Sequence, residues 1–383
     1  MKHNIYADNA ATTKLDIDAF EAMKPYLLDE YGNASQPYSF GRRAKLAIRQ
    51  ARKTIAECIN ADPQKIIFTS GGSESDNWAV KCFCSYTDIK HLITSEIEHH
   101  AVLNAVESAK RMFHADTFYI PVSKTGEVSC SDLVKVLERP REAVATCEST
   151  LVSVMMANNE IGTIQPIKEL AAIAHEHCAC FHTDAVQAVG HIPIDVKELG
   201  VNYLSASAHK FNGPKGIGFL YVNNGSVTEQ LINGGAQEFG LRAGTENVAA
   251  IVGMAVALKK NCEKIKENEL HIRSLEKVII DGLNESGIDY IRNGSDNRIP
   301  GNLSLSFRGK DGEAILHRMD LMGIAVSTGS ACDSVNTQIS YVLKAIHLPE
   351  DYARGTIRIS LGRENTEKEA RRIVDALLRI ILD

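Results

Sequence analysis

Short apolar runs alternate with segments of helical period along the first two-thirds of the chain. KIIFTS (Lys65–Ser70) has the continuous apolar character of a buried strand, and GGSESDNWAVKCF after it opens a helix. HLITS (His91–Ser95) predicts another strand, followed by a helix from about His100 to Met112. TLVSVMMANN (Thr150–Asn159) is strand-like, and PIKELAAIAHEH has helical period with Pro166 placed to start it. CACFHTD, NYLSAS and GIGFLYV predict three more strands. Strands alternating with helices make βαβ units, so the fold class is α/β with a mainly parallel sheet covered on both faces.

From about Glu246 the pattern changes. ENVAAIVGMAVALKKNCEKI predicts one long amphipathic helix, and a second runs through Leu270–Gly282. Strands (NLSLSF, TIRISL) then mix with helices (EAILHRMD, EKEARRIVDALLRI), which predicts a second, smaller α+β domain. The length of 383 residues supports this, since it exceeds what one core usually serves. Charge narrows the function: 42 basic against 48 acidic residues give −6, without the basic excess of non-specific nucleic-acid binding. The N-terminal stretch lacks the apolar core of a signal peptide, and no apolar run approaches the roughly 20 residues of a membrane span. Nine cysteines scattered from Cys58 to Cys332 show no framework spacing. The chain therefore reads as cytoplasmic, with reduced thiols.

Several constellations can carry chemistry. Ser70-Gly71-Gly72-Ser73-Glu74, between a strand and a helix, suits a phosphate at a helix N-terminus, or else Ser73 simply caps that helix. Lys210, in SASAHK at a strand end, sits where open α/β sheets place ligands and can form a Schiff base; the plain alternative is a solvated turn lysine, the reading given to Lys215. Asp184 and Gln187, in HTDAVQ, can meet a cationic ring nitrogen and a ring oxygen, or Asp184 can cap a helix. Glu98-His99-His100 offers an imidazole for stacking or proton movement, or for capping. His175, His177, Cys178, Cys180 and His182 straddle a helix end and a strand start, so their side chains should diverge and no metal is expected. Cys332 stands in STGSACDS, a run of small polar residues that should be mobile and accessible. The other eight cysteines fall in or beside apolar or helical patterns, where buried structural thiols are expected. Arg358, alternating with apolar residues in TIRISLGR, either faces water or forks onto a carboxylate.

Together these supply what pyridoxal phosphate requires: Lys210 for the Schiff base, Asp184 for the pyridinium nitrogen, Gly72 and Ser73 for the phosphate, and His99 beside the ring. The chain resembles the cysteine desulfurases, in the class V group of fold-type I pyridoxal-phosphate enzymes. The resemblance runs nearly end to end through YADNAATTKLD, GNASQPYSFGRRA, TSGGSESDN, EHHAVL, ANNEIGTIQPI, HTDAVQAVG, SAHKFNGPKGIG, GLRAGTENV, STGSACDS and RISLGREN.

What the resemblance implies is specific. The fold is a large cofactor-binding domain with a mainly parallel seven-stranded sheet (15–261), plus a small domain (1–14 and 262–383) carrying the cysteine segment. Pyridoxal 5′-phosphate is bound by Gly72, Ser73, His99, Asp184, Gln187, Ser207, His209 and Lys210, with Thr245 reaching across from the other subunit of a homodimer. Asn159 and Arg358 hold the carboxylate of L-cysteine. Lys210, His99 and Cys332 are catalytic: Cys332 takes the sulfur as a persulfide and L-alanine leaves. Acceptors would include iron–sulfur scaffolds or tRNA-thiolation enzymes; no resident metal is implied, and transient ligation of a cluster by Cys332 is left open. Ser73 replaces the family's usual Thr, and Tyr38 stands where His is common. The chain stops at Asp383, where relatives serving iron–sulfur scaffolds often carry a longer tail. Rival readings are another class V enzyme, such as an aminotransferase or a selenocysteine lyase, and a non-catalytic sulfur-relay protein.

Overall fold

In the computed structural model, residues 4–86, 90–139, 149–223, 226, 229–328 and 339–382 are described. The elements run β1 (Ile5–Tyr6), α1 (Ile17–Leu28), α2 (Ser39–Cys58), β2 (Ile66–Thr69), α3 (Gly72–Tyr86), β3 (His91–Ser95), α4 (His100–Phe113), β4 (Asp116–Ile120), α5 (Cys130–Leu137), β5 (Thr150–Ser153), α6 (Ile167–Glu176) and β6 (Cys180–Asp184). They continue as α7 (Val196–Leu199), β7 (Tyr203–Ser207), β8 (Gly218–Val222), α8 (Val248–Glu263), α9 (Ile265–Ser286), β9 (Tyr290–Arg292), β10 (Asn302–Phe307), α10 (Gly312–Leu321), β11 (Ile324–Ala325), α11 (Tyr341–Ala345), α12 (Glu350–Ala353), β12 (Thr356–Ser360) and α13 (Glu367–Leu382).

Seven strands form one sheet in the order β2-β8-β7-β6-β5-β3-β4. Its pairings from β7 through β6, β5 and β3 to β4 are parallel, and β8 is antiparallel to both β7 and β2. β2, β3, β5 and β7 are buried throughout, as continuous apolar runs predict for a sheet covered on both faces. The large core includes Ile93, Val152, Phe181 and Phe219, and a second cluster around Trp78, Phe83 and Tyr203 lies among α3, α4 and the sheet. A separate core of Leu275, Leu303, Phe307, Ile359 and Leu377 packs α9 and α13 on the three-stranded antiparallel sheet β12-β10-β9. Ile5 of β1 joins that smaller core through parallel pairing with β11, while Val342 and Leu343 of α11 belong to the large one.

Two predicted elements differ. The run from Thr150 is a strand only to Ser153, because Asn158 makes the following stretch a side-chain-built loop: its Oδ1 accepts the N–H groups of Glu160 and Ile161 at 2.8 and 3.0 Å. The long helix expected from Glu246 begins at Val248 behind an Asn247 cap, and α9 extends well beyond the predicted 270–282. Among the described residues no helix is long and apolar enough to cross a membrane.

Candidate active site

The site lies at the C-terminal ends of β6 and β7, facing the N-terminus of α3. A cavity of about 500 Å³ is lined by Gly72, Ser73, His99, Asn159, Asp184, Gln187, Ser207, His209 and Lys210, so nine of the residues singled out from sequence meet in one place. It opens beside a larger cleft of about 900 Å³ towards the smaller core, and Thr12, Gln187 and Lys215 line both.

The anion cradle is built from small residues for a steric reason. A Cβ on Gly72 would come to 2.5 Å from Val186 Cγ2 and 3.6 Å from Ser207 Cβ, so only glycine lets the start of α3 approach the strand ends this closely. Gly71 takes φ +153°, which places the turn before the helix in glycine's territory. Ser73 is not the cap: it lies inside the first turn and is exposed to the cavity. Instead Glu74 reaches back to accept the Ser70 N–H at 2.8 Å and is braced by Arg242, 2.9 Å from its Oε1. The free N–H groups of the first turn thus remain available to an anion.

Lys210 follows β7 through a single 3₁₀ turn, Ala208–Lys210. Its Nζ donates to the carbonyls of Ala10 and Ala11 at 2.6 and 2.9 Å, which aims the amine into the cavity. Asp184 ends β6 and is almost wholly buried. No helix follows it: Oδ1 accepts the Val186 N–H at 2.9 Å, a local turn rather than a helix cap. Burial pushes the Asp184 carboxyl up, while His99, the Val186 N–H and Lys210 pull against it.

His99 combines both of its sequence readings. It caps α4, Nδ1 accepting the Ala101 N–H at 3.1 Å, and it also faces the cavity. Burial holds its pKa below the usual imidazole value, against the pull of Asp184. The neutral ring so capped carries its hydrogen on Nε2. His209, its Nδ1 3.1 Å from Thr12 Oγ1, is pushed down to about 4 by burial, with Lys210 and Lys215 adding to the effect. Gln187 donates from Nε2 to Ala10 O at 3.0 Å.

Arg358 lies on β12, 3% exposed, and does not line the cavity. It forks, Nη2 to Asp8 Oδ1 at 2.8 Å and Nη1 to Asn159 O at 2.9 Å, which joins the small sheet to the residue that does line it. The Asn159 Oδ1 is buried without a partner. Arg358 also clamps the backbone of Ser327, the two N–H groups donating across at 2.6 and 3.0 Å. Ser327 stands five residues before Cys332, which itself lies outside the described residues. Thr245 is exposed and does not line this cavity.

The expectation of eight buried thiols is only partly met: Cys58, Cys130, Cys180 and Cys262 are half-buried, and Cys147 lies outside the described residues. Cys82 and Cys84 are buried, but Cys178 is exposed, since it follows the end of α6 with a left-handed φ of 55° that turns it outward. His175 and His177 lie against Asn202 and their own helix, while His182 is buried within the sheet on β6. The sequence reading assigned no role to Ala10, Ala11 or Thr12, although they stand in YADNAATTKLD; nor to Asp76, which falls among the polar residues that open α3.

The donor set fits pyridoxal phosphate. A cradle that a Cβ would fill, a buried carboxylate, an imidazole held neutral and an aimed lysine amine occur in one cavity of suitable size. The description "Aminotransferase class-V" matches residues 5–373. A protein named cysteine desulfurase IscS from Dictyoglomus turgidum is 46% identical over all of this chain and 95% of its own. A solved "NifS-like protein" superposes with TM-score 0.90 at 35% identity, covering 99% of this chain and 100% of its own. A structure titled "SspA in complex with cysteine" gives TM-score 0.81 at 35% identity, covering 94% of this chain and 100% of its own. The chain belongs to the aminotransferase class-V family, in its cysteine desulfurase group.

Proposed function

We propose that this protein binds pyridoxal 5′-phosphate in the cavity at Lys210 and uses it to convert L-cysteine to L-alanine, leaving the sulfur on Cys332. The family is pyridoxal-phosphate-dependent and its close relatives are named cysteine desulfurases. The convergence of Lys210, Asp184 and His99 on one small-residue cradle carries the reading to this chain. Gly72, Ser73, Ser207 and His209 would hold the phosphate, Asp184 the ring nitrogen, Gln187 the ring oxygen and Lys210 the aldehyde carbon. Bound there, the cofactor supplies an electron sink beside the substrate's α-carbon.

The chain's own groups do the rest. Asn159, with Arg358 next to it, orients the substrate carboxylate. Lys210 and His99 hold and move protons: the amine is poised by two carbonyls, and the imidazole is neutral at physiological pH. The Cys332 thiolate attacks the substrate sulfur, the carbon–sulfur bond breaks, and the carbon takes a proton. Cysteine and a thiol thus become alanine and a persulfide. We read residues 15–261 as the cofactor domain, with 1–14 and 262–383 as the part that brings Cys332 to it.

The working unit in this reading is a homodimer in the cytoplasm. Ile17, Phe20, Leu27, Leu28, Tyr31 and Leu46 leave an apolar surface on α1, α2 and their connection, and the exposed Thr245 does not line its own cavity, as expected of a residue that serves a neighbour's. Sulfur acceptors would be an iron–sulfur scaffold or a tRNA-thiolation enzyme. The reading is tested by cofactor-dependent formation of alanine from L-cysteine. Cys332→Ala should keep the bound cofactor's colour and lose sulfide release; continued release would remove Cys332 from the reaction.

A further inference from the structure

Two carboxylates beside Asp184 have no part in the chemistry above. Asp76, in the second turn of α3, is 1% exposed and lines the cavity, yet its Oδ1 has no hydrogen-bond partner. That oxygen lies 3.6 Å from His182 Nε2. His182 is itself held in a row of hydroxyls across three strands, Ser153 Oγ 2.8 Å from Nδ1 and Ser205 Oγ 3.0 Å from Nε2. Ser205 also hydrogen-bonds the Asp76 carboxyl. Glu98, wholly buried before α4, accepts Ser95 Oγ at 2.5 Å and the Met155 N–H at 2.9 Å on Oε1, while Oε2 has no partner. The titratable groups facing Asp76 are therefore Asp184 and His182 from β6 and Glu98 from the β3–α4 junction; His99 and Lys210 face Asp184.

Three ionised carboxylates cannot share so dry a region with one lysine, because like charges at short range in low dielectric do not all form. The donors are unequally placed. Asp184 has a backbone N–H, Lys210 and His99 to support its charge, whereas Asp76 has one hydroxyl, an unpaired oxygen and an imidazole that burial keeps neutral, its pKa pushed down to about 3. We infer that Asp76 is a positioning residue: it carries a proton in the loaded enzyme, and so leaves Asp184 as the ionised carboxylate that meets the cofactor's ring nitrogen. Burial and the neighbouring Asp184 push Asp76 well above the usual carboxyl range, and burial pushes Glu98 up to about 8. The inference rests on the cavity being the cofactor site.

Infrared spectroscopy of the holoenzyme tests it, with aspartate carrying ¹³C in its side-chain carboxyl so that Asp76 is distinguished from Glu98. At neutral pH the parent should show a carboxylic-acid C=O band that shifts with the label; Asp76→Asn should lose it and Asp184→Asn should keep it. A parent without a labelled acid band, or an Asp76→Asn protein that retains one, overturns the inference. The parent spectrum decides the matter even where a variant does not fold. A second readout is the cofactor's visible absorbance against pH: the parent should show an alkaline step that Asp76→Asn lacks, and persistence of that step in the variant counts against the assignment. Absence of any cofactor absorbance would instead defeat the reading of the cavity.

Discussion

A methyl group at residue 72 should dismantle the phosphate cradle without touching a catalytic side chain. The added Cβ of Gly72→Ala would stand 2.5 Å from Val186 Cγ2, against an ordinary carbon–carbon contact of about 3.5–4.0 Å, so the two must part by roughly 1 Å. Retreat is blocked on the other wall by Ser207 Cβ at 3.6 Å. Val186 is branched and stiff, and its N–H is the one that Asp184 accepts at 2.9 Å, so displacement passes either to the first turn of α3 or to Asp184. Overpacking costs about 1–3 kcal/mol, offset by up to about 1 kcal/mol for replacing glycine in a helix. Global stability should therefore fall by no more than about 3 kcal/mol. Cofactor affinity should fall on the order of 10- to 100-fold, roughly 1.4–2.8 kcal/mol, because a shift of this size misaligns the groups holding it. Titration of apoenzyme with pyridoxal phosphate, followed by absorbance, measures this. Val186→Ala removes the colliding methyl, so the double variant should recover most of the loss. Parental affinity in Gly72→Ala, or no recovery in the double variant, would refute the steric account.

Three further outcomes follow from the same geometry. Arg52 and Glu238 form a buried bidentate pair at 2.7 Å, with Glu238 also accepting the Phe68 N–H at 2.9 Å and the guanidinium 4.4 and 4.9 Å from the Phe68 and Phe239 rings; Glu238→Gln should cost about 3–5 kcal/mol in denaturant unfolding, and a loss under about 1 kcal/mol contradicts this. Because burial depresses His99, its neutral form is lost only as pH falls below the ordinary imidazole value of about 6.5, so the rate should drop on that acid side; His99→Gln should remove the limb from its pH–rate profile. Arg358→Lys keeps the charge but cannot serve Asp8 and the Asn159 carbonyl together, and should raise KM for L-cysteine at least tenfold; an unchanged KM would separate Arg358 from carboxylate orientation.

Much of the cofactor end was legible in the sequence because each residue sits at an element junction that pattern alone marks. Lys210, Asp184 and Gly72 follow or precede apolar runs whose ends are sharp, and β3, β6, β7 and β8 fall where those runs predict. What escaped depends on contacts distant in sequence. Ala10 and Ala11 aim Lys210 from 200 and 199 residues away, and nothing local to either segment records the meeting. For Arg358 the sequence left water and a carboxylate both open; the structure gives the carboxylate, Asp8, which stands 350 positions earlier. Ser73 and Asp184 had plausible lives as caps; the structure gives the first no capping role, because it already lies inside α3, and the second only a turn, because no helix follows it.

The central claim is that one cavity, through Lys210, turns L-cysteine into L-alanine and hands the sulfur on. The direct measurement is alanine and sulfide formed from L-cysteine by the purified holoenzyme with a thiol reductant, beside Lys210→Ala. Equal amounts of the two products from the parent, and neither from Lys210→Ala, are predicted. A parent that forms no alanine, or a Lys210→Ala protein that forms it at the parent's rate, would contradict the account.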